Sequence, residues 1–258
     1  MGAPVIVTRP AAPGQRLTAA LRNRGGDVAW WPAFDILPPA DESAVRRALA
    51  QLADYDLAIF VSPNAVHATA ERLGRDWPAE TVIGAVGAST RDAALAELRG
   101  AANATVVAPD DRDESGSEGF WRAWRATGRS ARRVLLLRAA AGRNWIVDQL
   151  RAEGAEVDAL AVYDRCPHRL PPGELARLRA WMQRGVVPAV IVTSTEAVGA
   201  IVDQVRGVEG AAEWLQAGRA IATHPRVAQR LQAAGFQDVA TVDSDDSSVV
   251  RKLESFED

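Results

Sequence analysis

Short apolar segments alternate with helix-patterned ones along nearly the whole chain, and this alternation limits the fold more than any single motif does. Strand-like runs occupy residues 5–8, 28–30, 57–61, 82–86, 134–137, 190–192 and 220–222. After the first, residues 16–24 carry Leu17, Ala20 and Leu21 on one helical face and end at Gly25-Gly26. Further helices are predicted from about Asn64, Thr90, Asn144, Thr195 and Pro225. Brief apolar strands separated by helices of about ten residues predict parallel sheets covered on both faces. The fold class is α/β.

Two segments break the rhythm. Residues 31–39 (WPAFDILPP) and 161–172 (AVYDRCPHRLPP) are Pro-rich, lack helical periodicity and resemble each other. A shift of 129 residues lays Arg138 on Arg9, Gly154 on Gly25, Val157 on Val28, Tyr163 on Phe34, Asp164 on Asp35 and Pro167 on Pro38. With small changes of register, SPNAV at 62–66 lies over STEAV at 194–198, and residues 85–98 lie over 221–234. The pattern reads as an internal duplication. As linkers, the two Pro-rich segments assign residues 1–34 plus 169–258 to a first lobe and 39–161 to a second, with 31–39 and 161–172 as linker strands. Relative motion of such lobes is the default expectation.

Composition narrows the function. Basic and acidic residues number 30 and 33, a net charge of −3, which excludes the broad positive field of a nucleic-acid binder. Lys252 is the sole lysine; the Arg excess reads as coding bias, although Arg suits bidentate carboxylate recognition. Cys166 is the only cysteine, and His67, His168 and His224 lie far apart, so no disulfide within the chain and no metal-ligand motif is expected. No apolar run approaches the roughly 20 residues of a membrane span. The start of the chain lacks a basic region followed by an apolar stretch, so the expected location is the cytoplasm.

Small polar residues collect where strands hand over to helices: Ser62 and Asn64, Ser89 and Thr90, Ser117, and Thr193, Ser194 and Thr195. Singly each reads as a helix cap. Together they mark the carboxyl ends of parallel strands, where ligands bind and where free N–H groups favour anions. Arg9, Arg138 and Arg143, with His224 and Arg226, stand at comparable ends and suit carboxylates. Such ends on two facing lobes would form an anion-accepting cleft. Tyr163, one of two tyrosines, falls in the second linker, on the expected cleft floor, and its phenol could act as a weak general acid. Neither GxxxxGK[ST] nor GxGxxG occurs, which disfavours a nucleotide-using transferase. From these residues alone, the chain is a two-lobed α/β binder of an anionic small molecule.

The chain carries, in order, VIVTRP at 5–10, WPAFDILP at 31–38, YDLAIFVSPNAV at 55–66, AVGAST at 85–90 and SEGF at 117–120. These are followed by VLLLRAAAGR at 134–143, AVYDR at 161–165, VTSTEAV at 192–198 and HPRVA at 224–228. In this ordered set of segments the chain resembles the uroporphyrinogen-III synthase family. The resemblance implies two Rossmann-like or flavodoxin-like parallel-sheet lobes joined by a two-stranded β-ladder. It also implies a cofactor-independent, metal-free cyclising lyase of haem biosynthesis. The substrate would be hydroxymethylbilane, closed to uroporphyrinogen III with loss of water and inversion of the last pyrrole through a spiro intermediate. Tyr163 matches the family's linker tyrosine, placed to assist hydroxyl loss, while Ser62, Thr90, Ser194 and residues 138–143 match cleft-facing positions. His224-Pro225-Arg226-Val227 stands where many members have a Gly-Pro-Thr-Thr-like stretch, and residues 139–141 are Ala-rich. Transient contact with the preceding pathway enzyme is the expected macromolecular partnership. The alternative is a non-catalytic binder or sensor on the same fold, from which the retained Tyr163 separates this chain.

Overall fold

The computed structural model describes residues 3–110, 116–243 and 245–256. The chain begins with β1 (Val5–Val7), α1 (Ala11–Arg22), β2 (Val28–Trp30) and β3 (Phe34–Leu37). Next come α2 (Glu42–Ala50), β4 (Leu57–Phe60), α3 (Pro63–Leu73), β5 (Val82–Ala85), α4 (Ala88–Glu97) and β6 (Val106–Val107). They are followed by α5 (Ser117–Ala126), β7 (Arg133–Ala139), α6 (Trp145–Ala152) and β8 (Glu156–Pro167). The rest carries α7 (Pro172–Gln183), β9 (Ala189–Val192), α8 (Thr195–Val205) and α9 (Ala211–Gln216). It closes with β10 (Arg219–Ala222), α10 (Pro225–Ala233), β11 (Asp238–Thr241) and α11 (Asp246–Glu254). Two compact units result: residues up to Ile36 with those from Cys166 onward, and Leu37–Arg165.

The first unit holds a parallel sheet in the order β11-β10-β9-β1-β2. The second holds the parallel order β8-β7-β4-β5-β6. Parallel neighbours demand crossovers, which the helices supply while burying both faces of each sheet. The central strands are accordingly buried along their whole length: β1, β9, β4 and β5 expose none of their residues. The apolar runs legible in the sequence are these strands. Both β6 and β11 escape that reading, since β6 has two residues and β11 is only partly buried.

The two sheets repeat one another. With β7 laid on β1, β8 on β2, β4 on β9, β5 on β10 and β6 on β11, the order β6-β5-β4-β7-β8 becomes β11-β10-β9-β1-β2. The 129-residue offset holds at the level of pairing: Val5 stands opposite Val28, and Val134 opposite Val157. One expected match needs correcting. Phe60 pairs with Ala85, and Val192 pairs with Ala222, so Ala85 corresponds to Ala222 rather than to Ile221. The corrected register also lays the cap of α4, Gly87, on the cap of α10, His224. Residues 161–167 of the second Pro-rich segment are the end of β8, a strand that starts at Glu156 because its early residues pair with β7 from Arg133.

Each unit has its own core. In the first, Trp31, Trp181 and Trp214 stack in series, with ring centroids 5.6 and 6.4 Å apart. Each indole N–H has a partner: Glu174 for Trp31, Asp27 for Trp181 and the Val186 carbonyl for Trp214. Buried indoles keep their packing energy only when that polar edge is satisfied. In the second unit, Phe120 and Trp124 of α5 close over Ile59, Val82 and Leu136. The turn before β7 is held by Asp56, whose carboxylate accepts the backbone N–H groups of Arg132 and Arg133 at 2.7 and 2.9 Å.

Two stability measurements test this account. Trp181→Ala removes the middle ring of the stack, and urea unfolding is expected to show a loss of about 3–5 kcal/mol. A loss under about 1 kcal/mol would mean that the ring is not central to that core. The Arg133 N–H bond holds the Asp56 carboxyl below its ordinary value of 3.8, against an opposing effect of burial and helped by Arg132. A depressed folded value gives stability above the ordinary pKa that is lost as pH falls through the folded one. Asp56→Asn is therefore expected to be less stable at neutral pH and to lose less on acidification from roughly pH 5 to pH 3. Parallel acid profiles for the two proteins would contradict this.

Candidate active site

In a parallel sheet every strand-to-helix junction falls at the same edge, and the polar residues singled out in the sequence sit at these junctions. In the second unit Ser62 caps α3, its Oγ accepting the Ala65 N–H at 3.1 Å. Asn64 is half-buried in the first turn of that helix. Gly116 donates its N–H to the Val86 carbonyl at 2.7 Å, which brings Ser117, the first residue of α5, to the carboxyl end of β5. Gly116 has a φ of 117°, a conformation that favours glycine. Ser89 and Thr90 do not cap α4; Gly87 does, and Thr90 is buried within the first turn.

In the first unit Ser194 caps α8 as Ser62 caps α3, with Oγ accepting the Ala197 N–H at 3.2 Å. Thr193 is half-buried and Thr195 exposed beside it. His224 caps α10: its Nδ1 accepts the Arg226 backbone N–H at 3.1 Å. With Nδ1 as acceptor, the ring hydrogen sits on Nε2. That atom is buried and has no hydrogen-bond partner among the described residues. A buried donor left unmatched is uncommon and asks for an acceptor. The Arg226 side chain is exposed.

The arginines are more engaged than the sequence suggests. Arg9 binds Asp246 at 2.5 Å, and its carbonyl accepts the Trp30 indole N–H at 2.9 Å. Gly14 makes this close approach possible, since a Cβ there would fall 2.0 Å from the Arg9 carbonyl oxygen. Arg138 turns back on its own loop, donating to the Arg143 carbonyl at 3.2 Å and to the Asn144 side chain at 3.0 Å. Arg143 meets both oxygens of Glu118 at 2.7 and 3.1 Å, and this hydrogen bonding and charge raise its guanidinium pKa further. Asp246, Glu118 and Asn144 were not singled out in the sequence. Pairs 237, 25 and 6 residues apart carry no local signal of contact.

Tyr163 lies on β8, where the ladder with β7 is irregular. Arg138 pairs with Ala161, but Ala139 pairs with Tyr163, so Val162 is one residue extra on β8. In an unbroken ladder Val162 would stand opposite Ala139, and the pleat would turn Tyr163 to the other face. The Tyr163 carbonyl accepts the Ala140 N–H at 3.2 Å, which secures the irregular step. The ring is 5% exposed, and its Oη lies 3.1 Å from Ser62 Oγ. The structure joins Ser62 and Tyr163, both singled out in the sequence, directly through their side chains. Among the described residues no three His, Cys, Asp or Glu side chains are grouped to hold a metal ion. No described helix is long and apolar enough to cross a membrane.

Two parallel α/β units with hydroxyl, imidazole and phenol groups at their strand ends define an enzyme-like α/β protein whose polar groups suit an anionic organic ligand. Comparison with known proteins narrows the class to one family. The family model described as "Uroporphyrinogen-III synthase HemD" matches residues 15–249. Uroporphyrinogen-III synthases of Salmonella typhimurium strain LT2 and Escherichia coli strain K12 are each 30% identical over 255 residues, covering 97% of this chain and 99% of theirs. The chain belongs to the uroporphyrinogen-III synthase family, enzymes of haem biosynthesis. Its fold is that of the family's solved structures. A mutant enzyme from the extreme thermophile Thermus thermophilus superposes with a TM-score of 0.62 at 17% identity, covering 98% of both chains. The enzyme from Helicobacter pylori 26695 gives 0.55 at 16% identity, covering 99% of this chain and all of its own. A non-catalytic binder on this fold is not favoured by these matches.

The repeated serine caps invite a direct test. Ser194→Ala is expected to cost about 1 kcal/mol in thermal or urea unfolding, and Ser194→Asp, which still accepts the Ala197 N–H, to retain most of it. Equal losses for both variants would show that the hydroxyl is not acting as a cap.

Proposed function

We propose that this chain closes hydroxymethylbilane to uroporphyrinogen III, with Tyr163 as the acid that assists loss of the terminal hydroxyl. The observation that carries the assignment of the acid is the buried phenol, set at an irregular step of β8 and hydrogen-bonded to Ser62. Loss of hydroxide from the bilane is difficult without a proton donor. As the C–O bond breaks, its electron pair goes to oxygen, which takes the phenol proton and leaves as water. The electrophilic methylene is then attacked by the substituted carbon of the last ring, giving the spiro intermediate. Rearrangement and closure release a proton, which returns to the phenolate. No electrons are gained or lost overall, so the chemistry calls for no redox carrier.

The bilane also closes unaided, without inversion, to the type I isomer. Catalysis therefore consists largely of holding the chain so that the spiro path is the shorter one. Each ring carries an acetate and a propionate, and on this reading they are met locally. The first-turn N–H groups of α3, α8 and α10 favour anions. Hydroxyls of Ser117, Thr193, Ser194 and Thr195, the Asn64 amide and the His224 Nε2–H add donors, with Arg226 as an exposed cation. Arg9 and Arg143 serve through the helices they bind, α11 and α5, and Arg138 through the loop it holds, while Thr90 is buried in the first turn of α4. A net charge of −3 accords with recognition by placed donors rather than by a global positive field. The reading locates the reaction in the cytoplasm. A substrate that closes by itself favours transient contact with the enzyme that makes it.

Tyr163→Phe keeps the ring and removes the proton. It is expected to lower kcat for bilane consumption by about a hundredfold, with product affinity within about twofold. An unchanged kcat would remove the acid role from Tyr163.

A further inference from the structure

We infer that Ser62 is a positioning residue for Tyr163, holding the phenol and stabilising the phenolate left when its proton is given up. The inference rests on the proposed acid role of Tyr163 and deepens it. Ser62 follows β4 and Tyr163 lies on β8, with β7 between them. Two strand spacings put these backbones about 10 Å apart, a gap that a tyrosine spans and a short side chain does not. The extra residue Val162 turns the ring to the face from which it makes this reach.

On this inference Ser62 is the donor of the pair. Its Oγ already accepts the Ala65 N–H at 3.1 Å, while its own hydrogen remains to be donated. Tyr163 Oη, at 3.1 Å, is the acceptor in reach. With Ser62 donating to it, Oη keeps its own hydrogen free for the leaving hydroxyl. When that proton moves, the Ser62 bond becomes one to a charged oxygen, roughly twice as strong as a neutral one. Stabilisation that grows as charge develops accelerates the step rather than merely tightening binding.

The duplication supplies an internal comparison. Ser194 matches Ser62 and makes the same cap bond, to Ala197 at 3.2 Å. The residue matched there to Tyr163 is Phe34, which carries no hydroxyl. Capping alone therefore does not require a phenol beside the serine, and the Ser62–Tyr163 bond goes beyond the cap.

Three substitutions at Ser62 separate the cap from the phenol bond. Ser62→Ala is expected to lower both the melting temperature and kcat, the latter about tenfold, with KM within about twofold. Ser62→Asp restores the cap and the melting temperature, but an ionised carboxylate cannot donate to the phenol, so kcat stays low. Ser62→Thr keeps both functions and is expected to rescue kcat. In a Tyr163→Phe background, Ser62→Ala should lower kcat by less than about twofold further. If kcat of Ser62→Asp returned to the native value along with stability, or if the two substitutions multiplied, Ser62 would be a cap and no more. Those outcomes leave the Tyr163 reading intact. A native kcat for Tyr163→Phe would instead overturn the acid role itself.

Discussion

Parallel strand pairing is the constraint on which the rest depends. A parallel ladder cannot be closed by a hairpin, so each strand must be followed by a crossover, here mostly helical. That one requirement accounts for apolar strands buried on both faces. It also places every strand-to-helix junction of a sheet at one edge, where helix N-termini offer unsatisfied N–H groups. Ser62, Ser117, Ser194 and His224 share that position because the topology allows no other place for the residue that opens each helix. On the proposed reading these donors meet the substrate's carboxylates, which accords with a net charge of −3.

The irregular step between β7 and β8 is the departure from this regular plan. A single extra residue, Val162, decides which face of the sheet carries the phenol. The β1–β2 ladder of the other unit ends at Val7 and Trp30, and the residue matched there to Tyr163 is Phe34, which has no hydroxyl. Two copies of one architecture thus differ at the place where the chemistry is proposed. Duplication supplies the scaffold twice; the proposed chemical role of one copy rests on the Tyr163–Ser62 bond.

Much of this was legible in the sequence. The strands buried on both faces announce themselves as runs such as LAIF and AVIV, and Pro63 and Pro225 mark first helical positions. Tyr163 and Ser62 were both singled out, one from its linker and one from its junction. Their contact was not legible, because 101 residues separate them and its geometry depends on a register shift that periodicity does not encode. The arginines illustrate the converse. Arg9 and Arg143 read as free cations, yet each has a carboxylate partner supplied by another helix, Asp246 from α11 and Glu118 from α5. The one-residue error that laid Ala85 on Ile221 has a similar origin: helical patterns tolerate a shift that strand pairing does not.

The central claim is that this chain directs ring closure rather than merely binding an anionic tetrapyrrole. The most direct measurement is the isomer composition of the porphyrins obtained after incubation with freshly generated hydroxymethylbilane and oxidation of the products. The account predicts the type III isomer as the dominant product, formed faster than unaided closure. Type I alone, at the spontaneous rate, would contradict it.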